Sequence, residues 1–211
     1  MANSNGAFGL RPIGVVGQAA NTTGATEYRI ASGNTNAIYQ GSPVIPLSTG
    51  FIDIVGAAAG GTVGLLGVFW GCEYVSSTTG ETIFSNSWPG SGTDSNFPVK
   101  AFVYDNPMQT FVIASDASLT NEATARGHVF ANANFATATS GSSTTGISSA
   151  KLGVSTIATT AALQLRIMGI QDDPENSDFT AAGIPVIVRL NNSFNSANGA
   201  IVAGTPSTTG V

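Results

Sequence analysis

The sequence predicts a single all-β domain, either a β-barrel or a jelly-roll-like sandwich, with an extended N-terminal arm and one short helix. Three observations lead to this fold class. Apolar residues occur in segments of strand length, these segments are separated by turns rich in Gly, Asn, Thr and Pro, and only one segment has a helical pattern. Many short strands with little helix are typical of barrels and sandwiches.

The composition indicates a folded chain that avoids charge. The 211 residues fit one domain, and a hydrophobic content of 42% is too high for a disordered chain. Only 9% of the residues are charged, whereas globular domains have roughly a quarter. The net charge of −5 argues against a nucleic-acid binder or a protein that binds anionic membranes, because both need clustered positive charge.

The chain divides into an N-terminal arm (1–25), a β-rich domain (26–195) and a C-terminal tail (196–211). The arm lies outside the strand pattern, so we expect deletion of residues 1–13 to leave the domain folded. The N-terminus has neither the basic start nor the apolar run of a secretory signal, so we do not expect export by that route. The most apolar stretch, 52–72, is interrupted by Asp53 and several glycines, so no membrane span is predicted.

The clearest predicted strand covers 65–75. Strict alternation would place five large side chains on a single face of this strand: Leu66, Val68, Trp70, Cys72 and Tyr74. We therefore expect Trp70 in the core. Gly67 and Gly71 on the opposite face predict a β-bulge or a close neighbouring backbone.

The remaining pattern consists of further short strands and one helix. Residues 99–104 and 109–115 flank an Asx- and Pro-containing turn at 105–108, which predicts a hairpin. Ser118 is the expected N-cap of a helix over 119–126 that ends at Gly127. The other predicted strands are 27–31, 37–40, 44–47, 51–55, 81–86, 162–170 and 184–190, and the small-residue segment 131–151 is expected to be loop or edge strand.

Few residues have the pattern of a catalytic or metal site. His128 is the only histidine, and no nucleophile-elbow motif accompanies it. Cys72 is the only cysteine, so a Cys/His metal site is excluded and a buried thiol is expected. The acidic segment 172–178 could supply oxygen ligands to Ca²⁺, but it lacks EF-hand spacing, and a solvated turn is the favoured interpretation. We expect no cofactor, no metal and no enzymatic activity.

Apolar side chains outside the strand pattern are the better candidates for function. Phe8 and Leu10 in the arm, beside Arg11, are expected to contact a partner protein. Trp88 and Phe97 lie in the loop 86–98, where they could contact a partner, stack on a sugar, or fill the protein's own core.

Short motifs along the chain resemble those of a known family. They are Met1-Ala2-Asn3, Phe8-Gly9-Leu10-Arg11-Pro12, Leu66-Gly67-Val68, Leu163-Gln164-Leu165-Arg166, Asp173-Pro174-Glu175-Asn176 and Val188-Arg189-Leu190-Asn191-Asn192. In these the chain is similar to the small virion proteins encoded beside the major capsid protein in tailed bacteriophages, the capsid cement or head decoration proteins.

The resemblance implies a structural protein of the bacteriophage virion, made in the host cytoplasm, that binds the outer capsid surface and bridges major capsid protein subunits. Lattice symmetry then favours a homo-dimer or a homo-trimer. The expected capsid-contact residues are those of the arm: Phe8, Leu10, Arg11 and Pro12. The alternative is a carbohydrate- or receptor-binding β-domain of a virion spike or fibre, with Trp88, Phe97 and Tyr104 on an open face.

Overall fold

The computed structural model describes residues 3, 6–17, 24–56 and 64–196, and it has an all-β architecture. The helical elements in this part are α1 (Glu122–Gly127) and two 3₁₀ turns, Val154–Thr156 and Pro174–Asn176. The strands are β1 (Arg11–Val15), β2 (Thr26–Ile30), β3 (Ile38–Tyr39), β4 (Pro43–Pro46), β5 (Ile52–Ile54), β6 (Gly67–Val75), β7 (Thr82–Ser85), β8 (Ser87–Trp88), β9 (Val99–Tyr104), β10 (Gln109–Ala114), β11 (Asn132–Ala133), β12 (Leu165–Ile170) and β13 (Pro185–Leu190).

A five-stranded antiparallel sheet joins the beginning of the chain to its later half. Its strand order is β1-β10-β13-β12-β11. Because β1 pairs with β10 from Arg11↔Val112 to Val15↔Gln109, the N-terminal segment is an integral edge strand. The prediction of an arm outside the strand pattern is therefore wrong for residues 11–15. Within the predicted arm, residues 1–2, 4–5 and 18–23 lie outside the described residues, as do residues 197–211 of the predicted tail.

A six-stranded sheet has the order β2-β9-β6-β4-β5, with β7 also paired to the long strand β6. Its two end strands, β2 and β5, contact each other without forming a ladder, so the barrel is not closed. A two-stranded ribbon, β3 with β8, completes the set of sheets. This combination of sheets confirms the predicted all-β class.

Two apolar clusters hold the sheets together. The first, the inter-sheet core, joins Phe111 and Val188 of the five-stranded sheet to Ile45 and Val68 of the six-stranded sheet. The second core combines the opposite face of the six-stranded sheet, including Phe69, with Ile38 and Trp88 of the ribbon. Because both faces of the six-stranded sheet are partly covered, β4 and the first half of β6 are near-continuous apolar runs.

β6 contains the predicted irregularity. Its register with β9 shifts between Phe69 and Gly71, which reverses the alternation of faces. Val68 consequently enters the inter-sheet core, while Phe69 and Cys72 enter the second core. A Cβ on Gly67 would collide with the carbonyl oxygen of Tyr104, so the predicted close approach of a neighbouring backbone is confirmed.

Trp70 does not occupy the fully buried position that strict alternation predicts. It lies at the bulge of β6, is half-buried, and packs edge-on against Tyr104 at a ring-centroid distance of 5.4 Å. Phe69, predicted to face the opposite side, is instead fully buried. Phe69 therefore takes the core position that alternation predicts for Trp70.

The predicted hairpin over residues 99–115 is wrong, although both strands exist. β9 belongs to the six-stranded sheet and β10 to the five-stranded sheet, so residues 105–108 connect the two layers. The side-chain amide of Gln109 is buried and donates to the carbonyl oxygen of Gly14 at 2.7 Å. This bond ties the first residue of β10 to β1 rather than to β9.

The helix begins later than predicted. Asn121 is the N-cap, and its side-chain oxygen accepts from the backbone N–H of Thr124 at 2.8 Å. Ser118 instead accepts from Thr120 and donates to the carbonyl oxygen of Phe179. Leu119, expected in the first turn, is buried in the inter-sheet core. Among the residues that the structure describes, no helix has the length and apolarity needed to cross a membrane.

Candidate interaction surface

The backbone at Gly9, between the predicted arm contacts Phe8 and Leu10, packs tightly against the domain. Gly9 has φ +67°, and a Cβ there would lie 2.7 Å from the carbonyl oxygen of Gly41 and 2.8 Å from Cβ of Ser148. The next residue, Leu10, donates its N–H to Gly41 at 2.9 Å, and its side chain is 0% exposed. Leu10 is thus a core residue, and its predicted role as an accessible capsid contact is wrong.

The other three predicted arm residues are more accessible. Arg11 is exposed, and its guanidinium carbon lies 4.9 Å from the centroid of the Phe8 ring, a cation–π contact. Phe8 and Pro12 are half-buried, and Pro12 is the register partner of Phe111 in β10. Their capsid contact stays a prediction, but they would present it from an ordered sheet edge.

The two loop aromatics differ from each other. Trp88 lies in β8, is 0% exposed, and packs edge-on against Tyr74 with ring centroids 5.6 Å apart. The prediction of Trp88 as a contact for a partner or a sugar is wrong, because its ring fills the second core. Phe97 is 49% exposed in a turn closed by a hydrogen bond from its N–H to Asp94.

Two highly exposed aromatics were not among the predicted contacts. Phe84 on β7 and Phe130 after α1 are each 73% exposed. Phe84 could have been found, since Ile83 and Phe84 are neighbours in a predicted strand and must point to opposite faces. Phe130 has φ +73°, a left-handed conformation that is strained for a bulky residue, and no pattern in the sequence marks it.

The acidic segment forms a capped turn. Asp173 accepts from the backbone N–H of Glu175 and from the side-chain amide of Asn176, at 3.0 and 2.8 Å. Asp178 accepts from the hydroxyl and the backbone N–H of Thr180, and these hydrogen bonds lower the pKa of its carboxyl group. Within the described residues, no group of three or more His, Cys, Asp or Glu side chains is arranged to hold a metal ion.

The two potentially reactive side chains are placed differently. Cys72 is buried, and this burial raises the pKa of its thiol to about 12, so the nucleophilic thiolate is disfavoured. This agrees with the predicted buried thiol. His128 is half-buried at the C-cap of α1, where its backbone N–H bonds to Ala125.

A cleft of about 240 Å³ lies beside the acidic turn, between α1 and the end of β12. Its walls include Ile170, Phe179, Asp172 and the exposed ion pair of Glu122 with Arg126. The charges of Glu122 and Arg126 in this lining therefore neutralise each other.

Comparisons of the chain with family models, with curated proteins and with solved structures found no match.

Proposed function

We propose that the chain is a structural protein of a bacteriophage virion that binds the outer capsid surface and stabilises the shell by bridging major capsid protein subunits. One structural observation supports this role: Phe84 on β7 and Phe130 after α1 each present most of their ring to solvent. Covering one such side chain in an interface is worth about 1.5–3 kcal/mol. The resemblance in sequence supplies the class of partner.

Bridging requires no chemistry. A protein that binds the assembled lattice more tightly than separated subunits shifts the equilibrium toward the closed shell by that difference in binding free energy. Low charge fits this role, because interface cores are depleted in Lys, Glu and Asp. Copies that occupy symmetric lattice positions would meet as a homo-dimer or a homo-trimer.

The carbohydrate- or receptor-binding alternative has less support. Of the aromatics proposed for an open face, Trp88 is buried and Tyr104 is half-buried against Trp70. Phe97 alone is exposed, and it lacks the polar phenol or indole group that accompanies sugar stacking with hydrogen bonding.

The test uses purified protein and capsids stripped of it. We expect saturable co-sedimentation with capsids and a higher temperature of capsid disruption when the protein is added. The double variant Phe84→Ala/Phe130→Ala should weaken binding while the isolated protein melts normally, because both rings are mostly exposed. Phe51→Ala, at a side chain that is only 37% exposed, is the control.

If the wild-type protein does not bind capsids at any concentration, this proposal is wrong. A strong signal on a glycan array in the same experiment series would favour the alternative function.

A further inference from the structure

The five-stranded sheet has charge of only one sign. Its strands contain three arginines, Arg11, Arg166 and Arg189, and no Asp or Glu. The six-stranded sheet, by contrast, mixes both signs, for example in the register pair Glu73 and Lys100. In a chain with seven Lys and Arg and twelve Asp and Glu, this segregation is unexpected.

The register places the three arginines on the same face. Arg166 is the partner of Arg189, and Arg189 is the partner of Thr110, so they lie in one row across the sheet. Arg11 lies in the next row on that side, opposite Val112, which in turn pairs with Ile187. Their neighbours in the core-facing rows, such as Phe111 with Val188, point the other way. We call this outer surface the arginine face.

Each of these arginines is held by a neutral group. Among the described contacts, the Arg11 guanidinium lies over Phe8, Nε of Arg166 donates to the side-chain oxygen of Asn132 at 3.1 Å, and Nη1 of Arg189 donates to the sulfur of Met108 at 3.4 Å. The three ion pairs formed within the described part of the chain use three of the four other cations, Arg29, Lys100 and Arg126. The arginine face therefore combines oriented side chains with uncompensated charge.

Such an arrangement costs stability in the isolated protein. Like charges directly opposite each other on neighbouring strands are destabilising, and Arg166 and Arg189 are such a pair. A carboxylate placed between them would remove the repulsion and accept charge-assisted hydrogen bonds from their forked donors. In the row of Arg11, Val112 and Ile187 add apolar side chains to the arginine face.

We infer that the arginine face binds an acidic protein surface. Arginine with apolar neighbours is the composition of protein interfaces. Non-specific binding to nucleic acid needs positive charge over many phosphate contacts, which three arginines do not supply. The net charge of −5 opposes approach to a polyphosphate, but a carboxylate cluster needs only the local field. This inference rests on the proposed function for the identity of the partner, which is then the outer surface of the capsid shell.

The test compares charge variants that change net charge equally. Arg166→Gln/Arg189→Gln removes two charges from the arginine face, and Arg126→Gln/Lys151→Gln removes two charges elsewhere. Poly-L-glutamate is the first probe and stripped capsids are the second, each at low and high salt. We expect the first pair to weaken binding to both probes by about ten-fold or more at low salt, and the control pair to change it little.

A further variant separates charge from geometry. Arg166→Lys/Arg189→Lys keeps both charges but loses the planar forked donors, so its loss of binding should be smaller than that of the glutamine pair. Thermal melts are the check on folding. The glutamine pair should melt at or above the wild-type temperature, because it removes a repulsive pair.

Different failures remain distinguishable. If wild-type protein binds capsids and the glutamine pair binds them equally well, the arginine face is not the contact, while the proposed function stands. Tighter binding to double-stranded DNA than to poly-L-glutamate would overturn the choice of a protein partner. Self-association that is lost in the glutamine pair, without loss of capsid binding, would replace the capsid by a second copy of the chain. If wild-type protein ignores capsids, the proposed function fails, and poly-L-glutamate still decides whether the face binds carboxylates.

Discussion

Replacing Leu10 by alanine measures how far the N-terminal segment belongs to the core. The Leu10 side chain is 0% exposed and packs in the inter-sheet core. Truncation of a buried leucine to alanine costs about 3–5 kcal/mol, because both the apolar transfer energy and the packing around the cavity are lost. In a domain of this size each kcal/mol lowers the melting temperature by about 2–4 °C, so we expect a decrease of roughly 6–20 °C.

The matched control is Phe8→Ala, two residues earlier. Phe8 is half-buried, and its described ring contact is the cation–π interaction with Arg11. Such a contact at an exposed site is worth about 0.5–1 kcal/mol, and half-burial of the ring adds about 1–1.5 kcal/mol. We therefore expect a decrease of roughly 3–10 °C, smaller than that for Leu10→Ala. Differential scanning calorimetry of the two variants beside wild type gives the comparison. Equal melting temperatures for the two variants would refute the placement of Leu10.

The burial of Leu10 and the pairing of β1 with β10 reverse the expectation for truncation. Deleting residues 1–13 removes Leu10 and the first three residues of β1, which pairs with β10. We now expect that deletion to unfold or strongly destabilise the chain. Deleting residues 1–6 keeps Leu10 and β1, and it should leave a cooperative melting transition. A cooperative, wild-type-like transition for the longer deletion would show that β1 contributes little.

The remaining predictions concern Gly67 and Cys72. Gly67→Ala should destabilise the chain by about 3 kcal/mol or more, because the new Cβ would collide with a backbone carbonyl that cannot move aside. The control, Gly127→Ala at the open end of α1, should be neutral or stabilising by up to about 1 kcal/mol. Urea unfolding measures both differences. Burial raises the pKa of Cys72 from 9.0 to about 12. The contribution of this thiol to the free energy of unfolding is fully present below pH 9. It falls by about 1.4 kcal/mol per pH unit as the pH rises toward 12, because only the thiol of the unfolded chain ionises in that range. Cys72→Ala should make the alkaline loss of stability shallower; Tyr28, with a pKa raised to about 12 by burial and by its hydrogen bond to Asp105, retains a loss that begins near pH 10. An identical pH dependence in wild type and Cys72→Ala would contradict this assignment.

The local pattern of the sequence predicts strand positions well. β9 occupies residues 99–104 as predicted, and the glycines of β6 correctly indicate a bulge and a close backbone. Both signals are local, since alternation and glycine placement act within a few residues. The all-β class follows from the same signals.

Strand partners could not be predicted in the same way. The alternation in residues 109–114 is compatible with pairing to β9 across a short turn, yet β10 pairs with β1 and β13. What decides the pairing is burial of one face of β10 against the other sheet, which involves residues distant in sequence. Leu10 illustrates the consequence, because its burial depends on Gly41 and on β10 rather than on its own neighbours.

Burial of the predicted contacts follows from the same long-range pairing. Trp88 precedes Pro89 and Gly90, a turn pattern compatible with an exposed or a buried ring, and its pairing with Ile38 places it under the six-stranded sheet. Arg166 shows how much of a site can be anticipated. Its alternation with Leu165 and Ile167 predicts that it points outward, while its position beside Arg189 depends on the register of β12 with β13.

Total charge and its distribution lead to different conclusions about partners. The net charge of −5 argues against binding to a polyanion. The distribution of charge is uneven, since the strands of the five-stranded sheet contain three arginines and no acidic residue. Elsewhere, Glu27, Glu73 and Glu122 form ion pairs with three of the other cations. A protein of this kind is repelled by an acidic surface in most orientations and attracted in one. That asymmetry aligns the chain during approach, so an acidic partner would select the orientation in which the arginine face meets it.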